Sequence, residues 1–287
     1  MLVAVVWIFP LAGARGLPET DPRLWLLLAE VAGLAGSAFV MNQWHDLAGD
    51  SANAKCGTLA RGLVRPGEAR AYAALLLAGG LVAALALGPW HVAAALLFFF
   101  LAAVCYNLPP MRAKDRPLLA PLLAAPAYGL LLVQGAALGG GLGLALGIWS
   151  SLPLVPAGVS LSLLATVPDR AGDQAAGKRT WTVAFGEVAA WRAALVLMGA
   201  AALLALAGRD WQIGLPALAS TLLMASGLRD PFRKGAAVRV LRWSAALQGL
   251  ALAPSWPRVS LLLVLLMIGA RGYYRRRFNL DYPSLRV

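Results

Sequence analysis

Ten apolar segments of 14 to 24 residues follow one another along this chain, and basic residues collect in every second connection between them. A run of about 17–25 apolar residues is long enough to cross a bilayer as a helix. The helix satisfies each backbone N–H and C=O within its own segment, which lipid cannot do. The segments lie near residues 1–14, 23–45, 68–88, 91–106, 118–138, 147–167, 183–206, 211–227, 236–253 and 256–270. Connections at 46–67, 107–117, 168–182 and 228–235, with the tail from 271 and their immediate helix ends, hold nearly all the Lys and Arg. The remaining connections hold only Arg15, Arg23, Arg209 and Arg258. That alternation follows the positive-inside rule and places the basic connections in the cytoplasm. Tryptophans sit at both sets of ends, Trp25, Trp90 and Trp149 outside, Trp44, Trp181 and Trp243 inside, as interfacial belts require.

Composition agrees. Hydrophobic residues make up 60% of the 287 and charged ones 13%, with a mean hydropathy of +0.71. A soluble domain carries nearer a quarter charged residues. The net charge of +12 is therefore explained by topology, and no nucleic-acid partner is expected. Cys56 and Cys105 both fall on the cytoplasmic side and read as incidental thiols. Residues 1–14 lack the basic start of a cleavable leader and read as a short or truncated first helix. No linker is long or polar enough to separate domains. The expectation is one all-α integral membrane domain over residues 1–287, a bundle of nine or ten transmembrane helices around a central cavity.

A coarse repeat runs through the chain. The second span leads into "NQWHDLAGD", and four spans later the sixth leads into "TVPDRAGDQAAGKRT". Each acidic segment is followed by basic residues and two further spans, so two similar four-helix halves share one orientation. Residues four apart share a helix face and lie about 6 Å apart along its axis. Asn42, Asp46 and Asp50 thus form one polar stripe, and Asp169 and Asp173 another. Like charges at this spacing destabilise a helix unless they are neutralised. Two such pairs at repeat-equivalent places point to bound cations. Oxygen donors without a cysteine or histidine cluster favour Mg²⁺, which keeps waters and shares its shell with substrate phosphates. Lys55, Lys114, Lys178 and Arg179 complete the charge balance around a diphosphate. The chemistry favoured is ionisation of a C–O bond to a diphosphate leaving group on a hydrocarbon tail.

"N-x-x-x-D-x-x-x-D" at Asn42–Asp50, "D-x-x-x-D" at Asp169–Asp173 within "PDRAGDQAAGKRT", and "YNLPPMRAK" at Tyr106–Lys114 together resemble the motifs of the UbiA superfamily of intramembrane prenyltransferases. The resemblance covers essentially the whole chain. It implies two Mg²⁺ ions bridging both Asp motifs to a prenyl diphosphate. It also implies an allylic carbocation that passes to an aromatic or other lipophilic acceptor inside a bacterial cytoplasmic membrane, with the site facing the cytoplasm. Asn42, Asp46, Asp50, Asp169 and Asp173 would hold the metal, and Lys114, Lys178, Arg112 and Arg179 the diphosphate. Tyr106 would face the cation or orient the head group. Many members carry Asp directly after the Asn, where this chain has Gln43. The same first step would serve a cyclising lyase, and a transporter using intramembrane acids is a third reading.

Other polar residues in the spans have simpler expectations. Glu30 stands sixteen residues, about 24 Å of helix, before Asp46 and so faces the bundle away from the metal site. His45 reads as an interfacial polar residue and His91 as one at the outer surface. Gln134, Ser160, Ser162 and Thr166 either line an acceptor pocket or form interhelical hydrogen bonds, the commoner use.

Overall fold

The computed structural model describes residues 2–52, 58–138, 145, 149, 152–232, 235–251 and 253–279. Among these, helices α1 (Leu2–Gly13), α2 (Pro22–His45) and α3 (Leu47–Ala52) come first. They are followed by α4 (Pro66–Leu87), α5 (Pro89–Phe99) with a π-helical turn at Phe100–Cys105, and α6 (Leu119–Ala137). The second half holds α7 (Leu154–Ala165), α8 (Arg170–Ala175), α9 (Trp181–Phe185), α10 (Glu187–Ala207), α11 (Trp211–Leu228), α12 (Ala236–Ala251) and α13 (Pro257–Phe278). The described residues contain no strand. The repeat expected from the sequence recurs as an order of elements: a core helix, a short acidic helix, then further long helices.

Five of these helices, α2, α4, α6, α10 and α11, are long and apolar enough to cross a membrane, and α5 with its π turn and α7 are shorter apolar helices. Their outward faces carry large apolar side chains such as Leu75, Leu85, Val196, Leu203 and Leu222, all exposed. In a bilayer these meet lipid, which is as apolar as leucine. The inward faces bury Leu24, Leu27 and Leu34 of α2, Leu131 and Leu132 of α6, and Trp191 and Met198 of α10. The protein is an all-helical integral membrane protein.

Element ends follow local chemistry. Asp21 caps α2 by accepting the Arg23 N–H at 2.9 Å, with Pro22 at the first helical position. Glu68, in the first turn of α4, accepts the Arg65 N–H at 2.9 Å. The last helix runs to Phe278, beyond the span expected to end at residue 270. Arg275, Arg276 and Arg277 occupy its last turn, where cations meet the negative end of the helix dipole.

Because lipid supplies no hydrophobic drive between helices, close backbone packing has to hold them together. The α1–α6 contact shows it best. A Cβ added at Gly135 would stand 1.9 Å from the Pro10 carbonyl oxygen, and one at Gly13 would stand 2.1 Å from the Leu132 oxygen. Only glycine permits that approach. α2 packs along α4 in the same manner, with Gly33 against the Gly80 backbone.

A buried polar cluster ties three helices. Glu30 of α2 is fully buried, with His91 Nδ1 of α5 at 2.9 Å and Gln134 Nε2 of α6 donating at 2.7 Å. His91, expected at the outer surface, is only 4% exposed. The correction has a physical cause: a carboxylate inside a span needs a partner, and His91 in the next apolar helix supplies it. Ser160 Oγ likewise donates to the Ala194 carbonyl across the α7–α10 contact at 2.6 Å. Gln134 and Ser160 thus serve interhelical bonding. Ser162 bonds its own helix, at Val159 O.

Candidate active site

The two acidic stripes end their core helices in the same way. α2 stops at His45, yet the Asp46 N–H still reaches the Asn42 carbonyl at 2.9 Å and the Asp50 N–H reaches that of Asp46 at 2.8 Å. The four-residue register therefore persists into α3. In the second half the Asp173 N–H bonds the Asp169 carbonyl at 2.9 Å, and α3 packs against α8.

Lys178 joins the two stripes, and Lys114 adds a second ammonium to the first. Lys178 Nζ lies 2.5 Å from Asp46 Oδ1 and 3.3 Å from Asp173 Oδ1. Lys114 Nζ lies 2.9 Å from the same Asp46 oxygen and donates to Asn42 Oδ1 at 3.4 Å. The four charged side chains are 5–13% exposed, so water screens them little. Turns aim both lysines. Gly177 at φ +70° reverses the chain after α8, so that the Lys178 N–H bonds the Asp173 carbonyl at 2.9 Å. Arg112 at φ +38° opens the short 3₁₀ turn Ala113–Asp115 that carries Lys114.

Electrostatics follow from this crowding. Burial alone would raise the Asp46 carboxyl, but Lys114 and Lys178 outweigh it and hold its pKa below the ordinary carboxylate value. The two lysines move in opposite directions. Burial, partly offset by Asp46, lowers Lys114. Burial also acts on Lys178, but Asp46 and Asp173 together overcome it and raise that group. The difference is the number of carboxylates each ammonium touches. Burial raises Asp115, against the pull of Arg112, Lys178 and Lys114.

The structure brings Asn42, Asp46, Asp173, Lys114 and Lys178 into one cluster. Tyr106, placed by the π turn before it, is half-buried and within the electrostatic reach of Asp46, Asp115 and Asp173. Asp50 and Asp169 occupy the facing short segments. Arg112 and Arg179 are exposed at the rim. Arg112 Nε pairs with Asp115 Oδ2 at 2.6 Å, and the Arg179 N–H donates to the Asp115 carbonyl at 3.2 Å. Gln43, where many UbiA members carry Asp, is exposed. Lys55 and Cys56 lie outside the described residues. Asp115 is the member that sequence reasoning missed. Its one signal was a carboxylate next to Lys114 in a basic connection, with no periodic partner to mark it. The Thr166 and Thr182 hydroxyls bond each other, and Arg170 pairs with Glu187 at 3.1 Å.

Among the described residues, no three Asp, Glu, His or Cys side chains gather closely enough to hold a metal by themselves. The donors present, two carboxylates and an amide oxygen with two ammoniums beside them, fit Mg²⁺ nonetheless. That ion is held by one or two carboxylates, and waters and phosphate oxygens complete its shell.

The fold and the cluster together define a helical membrane bundle in which two Asp-bearing segments meet at Lys178, with Lys114 beside it. The UbiA prenyltransferase family profile matches residues 1–244, and the chain belongs to that family. Solved structures share the fold. A UbiA homologue from Aeropyrum pernix K1 in its apo form superposes with a TM-score of 0.68 at 18% identity, over 92% of this chain and 98% of that one. A UbiA homologue from Archaeoglobus fulgidus bound to GPP and Mg²⁺ gives 0.64 at 19% identity, over 88% and 94%. A digeranylgeranylglyceryl phosphate synthase gives 0.57 at 18% identity, over 87% and 90%. No curated protein sequence matches the chain.

Proposed function

We propose that this protein transfers a prenyl group from a prenyl diphosphate to a lipophilic, aromatic acceptor within the membrane, with Mg²⁺ as cofactor and the site at the cytoplasmic face. The observation that carries the reading is Lys178, which bridges Asp46 of the first acidic motif and Asp173 of the second. The Archaeoglobus homologue binds GPP or DMAPP with Mg²⁺, and the same substrate class suits this donor set.

Asn42, Asp46, Asp50, Asp169 and Asp173 would hold two metal ions. When bound, Mg²⁺ neutralises the diphosphate and lowers the cost of its departure. The protein's own groups do the rest. Lys114 and Lys178 donate hydrogen bonds to the diphosphate oxygens, on which negative charge grows as the allylic C–O bond breaks. Their burial excludes water and strengthens each of those bonds. Arg112 and Arg179 at the rim, with Lys55, add positive charge where the diphosphate arrives from the aqueous side. Tyr106 faces the cationic end of the chain or orients the acceptor head. The acceptor forms a bond to the allylic cation and loses a proton, and the diphosphate leaves.

The test is a membrane assay crossing prenyl diphosphates of several lengths with a panel of acceptors, read by mass spectrometry with and without EDTA. Prenylated acceptor and free diphosphate are expected only with Mg²⁺. Asp46→Asn and Asp173→Asn should both abolish turnover while the proteins still insert. Full activity in both variants refutes the site. Diphosphate release without acceptor, with a cyclic product, identifies a cyclase instead.

A further inference from the structure

The opposite face of α2 carries a second feature. A groove of about 220 Å³ runs between α2, α4 and the end of α5, lined by Met41, Trp44, Arg70, Ala73, Leu77 and Phe99 among others. Trp44 is two residues from both Asn42 and Asp46, so it points about 160° away from the acidic stripe. The groove therefore does not belong to the diphosphate cluster. Its walls are apolar apart from the buried Ser37 and, at one end, Arg70 in the second turn of α4. That is the end of the bundle where α2 finishes and the basic connections begin. The Arg70 guanidinium carbon stands 4.9 Å from the centre of the Trp44 ring, and its Nε reaches the Pro66 carbonyl at 3.4 Å. Among the described residues no carboxylate pairs with it. The neighbouring Arg61 and Arg65 are exposed as well. Leu77, two turns or about 10 Å further along α4, marks the depth of the apolar wall.

A fixed, unneutralised cation above an apolar slot at a membrane surface is complementary to one class of molecule, an amphiphile with an anionic head. We propose that this groove is a binding site for an anionic phospholipid of the surrounding leaflet. Its phosphate rests on Arg70 and the first part of one acyl chain lies between Met41 and Leu77. The stacked Trp44 ring holds the guanidinium at the height of the headgroups and forms the side of the slot. A prenyl diphosphate has a similar overall shape, but its site requires the lysines and carboxylates on the other face of α2.

Native mass spectrometry of the full chain tests this, with phosphatidylglycerol, phosphatidylcholine and geranylgeranyl diphosphate as probes. One phosphatidylglycerol should stay bound at collision energies that strip phosphatidylcholine. Arg70→Gln, an exposed change that leaves the packing intact, should weaken that retention about fivefold, the effect of one cation at an anionic surface. Ala73→Phe, which fills the slot, should weaken it as well, with its melting curve confirming that it folds. Neither should alter binding of the prenyl diphosphate. Equal retention of the two phospholipids overturns the proposal, as does retention unaffected by Arg70→Gln. Loss of prenyl diphosphate binding in Arg70→Gln would overturn it too, by making the groove part of the substrate's path.

Discussion

Gly135→Ala tests whether α1 is held to α6 backbone on backbone. The new Cβ would stand 1.9 Å from the Pro10 carbonyl oxygen, 2.8 Å from the Pro10 carbonyl carbon and 3.0 Å from the Ala14 nitrogen. Ordinary contact begins at 3.4 Å, so the two helices must part by 1.5 Å along that line. All three obstacles are main-chain atoms, so no side chain can rotate aside. Overpacking of this kind costs about 1–3 kcal/mol. Alanine recovers about 1 kcal/mol of helix propensity over glycine, which sets the net loss at about 0–2 kcal/mol. Gly129 on the same helix supplies the control, because nothing lies within 4 Å of its added Cβ. Gly129→Ala should therefore stabilise by about 1 kcal/mol. At about 2 °C per kcal/mol for a chain of this size, the two variants should melt about 2–6 °C apart, with Gly135→Ala the lower. Differential scanning fluorimetry in one detergent, on wild type and both variants together, measures the gap. If Gly135→Ala melts at the temperature of Gly129→Ala, α1 does not approach α6 as described and the packing argument fails.

Lys178→Ala should lower kcat about 10²–10³-fold, the usual loss when one preorganised donor to a developing anion is removed, measured as diphosphate release at saturating substrate. Stability should respond to acid through Asp46. Its folded pKa lies below the ordinary 3.8, so its contribution is complete above that value and fades as pH falls through the lower folded value. Asp46→Asn should flatten that acid limb in melting experiments. Lys178 acts in the other direction. Raised above 10.5, it contributes fully below that pH and loses its contribution as pH climbs through the folded value. Lys178→Met should remove this alkaline loss from the melting profile. A double-mutant cycle of Glu30→Gln and His91→Gln should show a coupling of about 1–2 kcal/mol, near the upper range for hydrogen bonds inside membranes. A value under about 0.3 kcal/mol would mean the pair is not formed.

The helices were legible because a bilayer permits so little else. The second span was expected at 23–45 and α2 runs from Pro22 to His45, since Asp21 and Pro22 start it and the polar stripe ends it. The final helix runs eight residues past the apolar segment expected at 256–270, for an equally physical reason. Its basic tail ends the apolar run, but it does not end the helix, whose last turn favours cations. The burial of His91 was hidden for another reason. Glu30, His91 and Gln134 lie 61 and 104 residues apart in sequence, and each alone is a polar residue in an apolar span. Only the assembled bundle shows that they complete one another.

The candidate site divides along the same line. Helical periodicity located the carboxylates, because a spacing of four means one face wherever the helix points. It could not locate their partners. Lys114 and Lys178 sit in connections where single residues set the direction, Arg112 at φ +38° before one lysine and Gly177 at φ +70° before the other. From the sequence, five cations surround an expected diphosphate, Lys114 and Lys178 as its first contacts and Arg112, Arg179 and Lys55 behind them. The turns separate four of them. Lys114 and Lys178 are folded inward onto Asp46, while Arg112 and Arg179 remain at the exposed rim against Asp115. Asp46 is thus the hub of the cluster, bound by an ammonium from each half of the chain. A change at Gly177 should therefore damage catalysis without touching a charged residue. Gly177→Val strains the turn that returns Lys178 to Asp173, and its loss of turnover should approach that of Lys178→Ala while the carboxylates stay in place. Wild-type turnover in Gly177→Val would show that the turn does not aim the lysine.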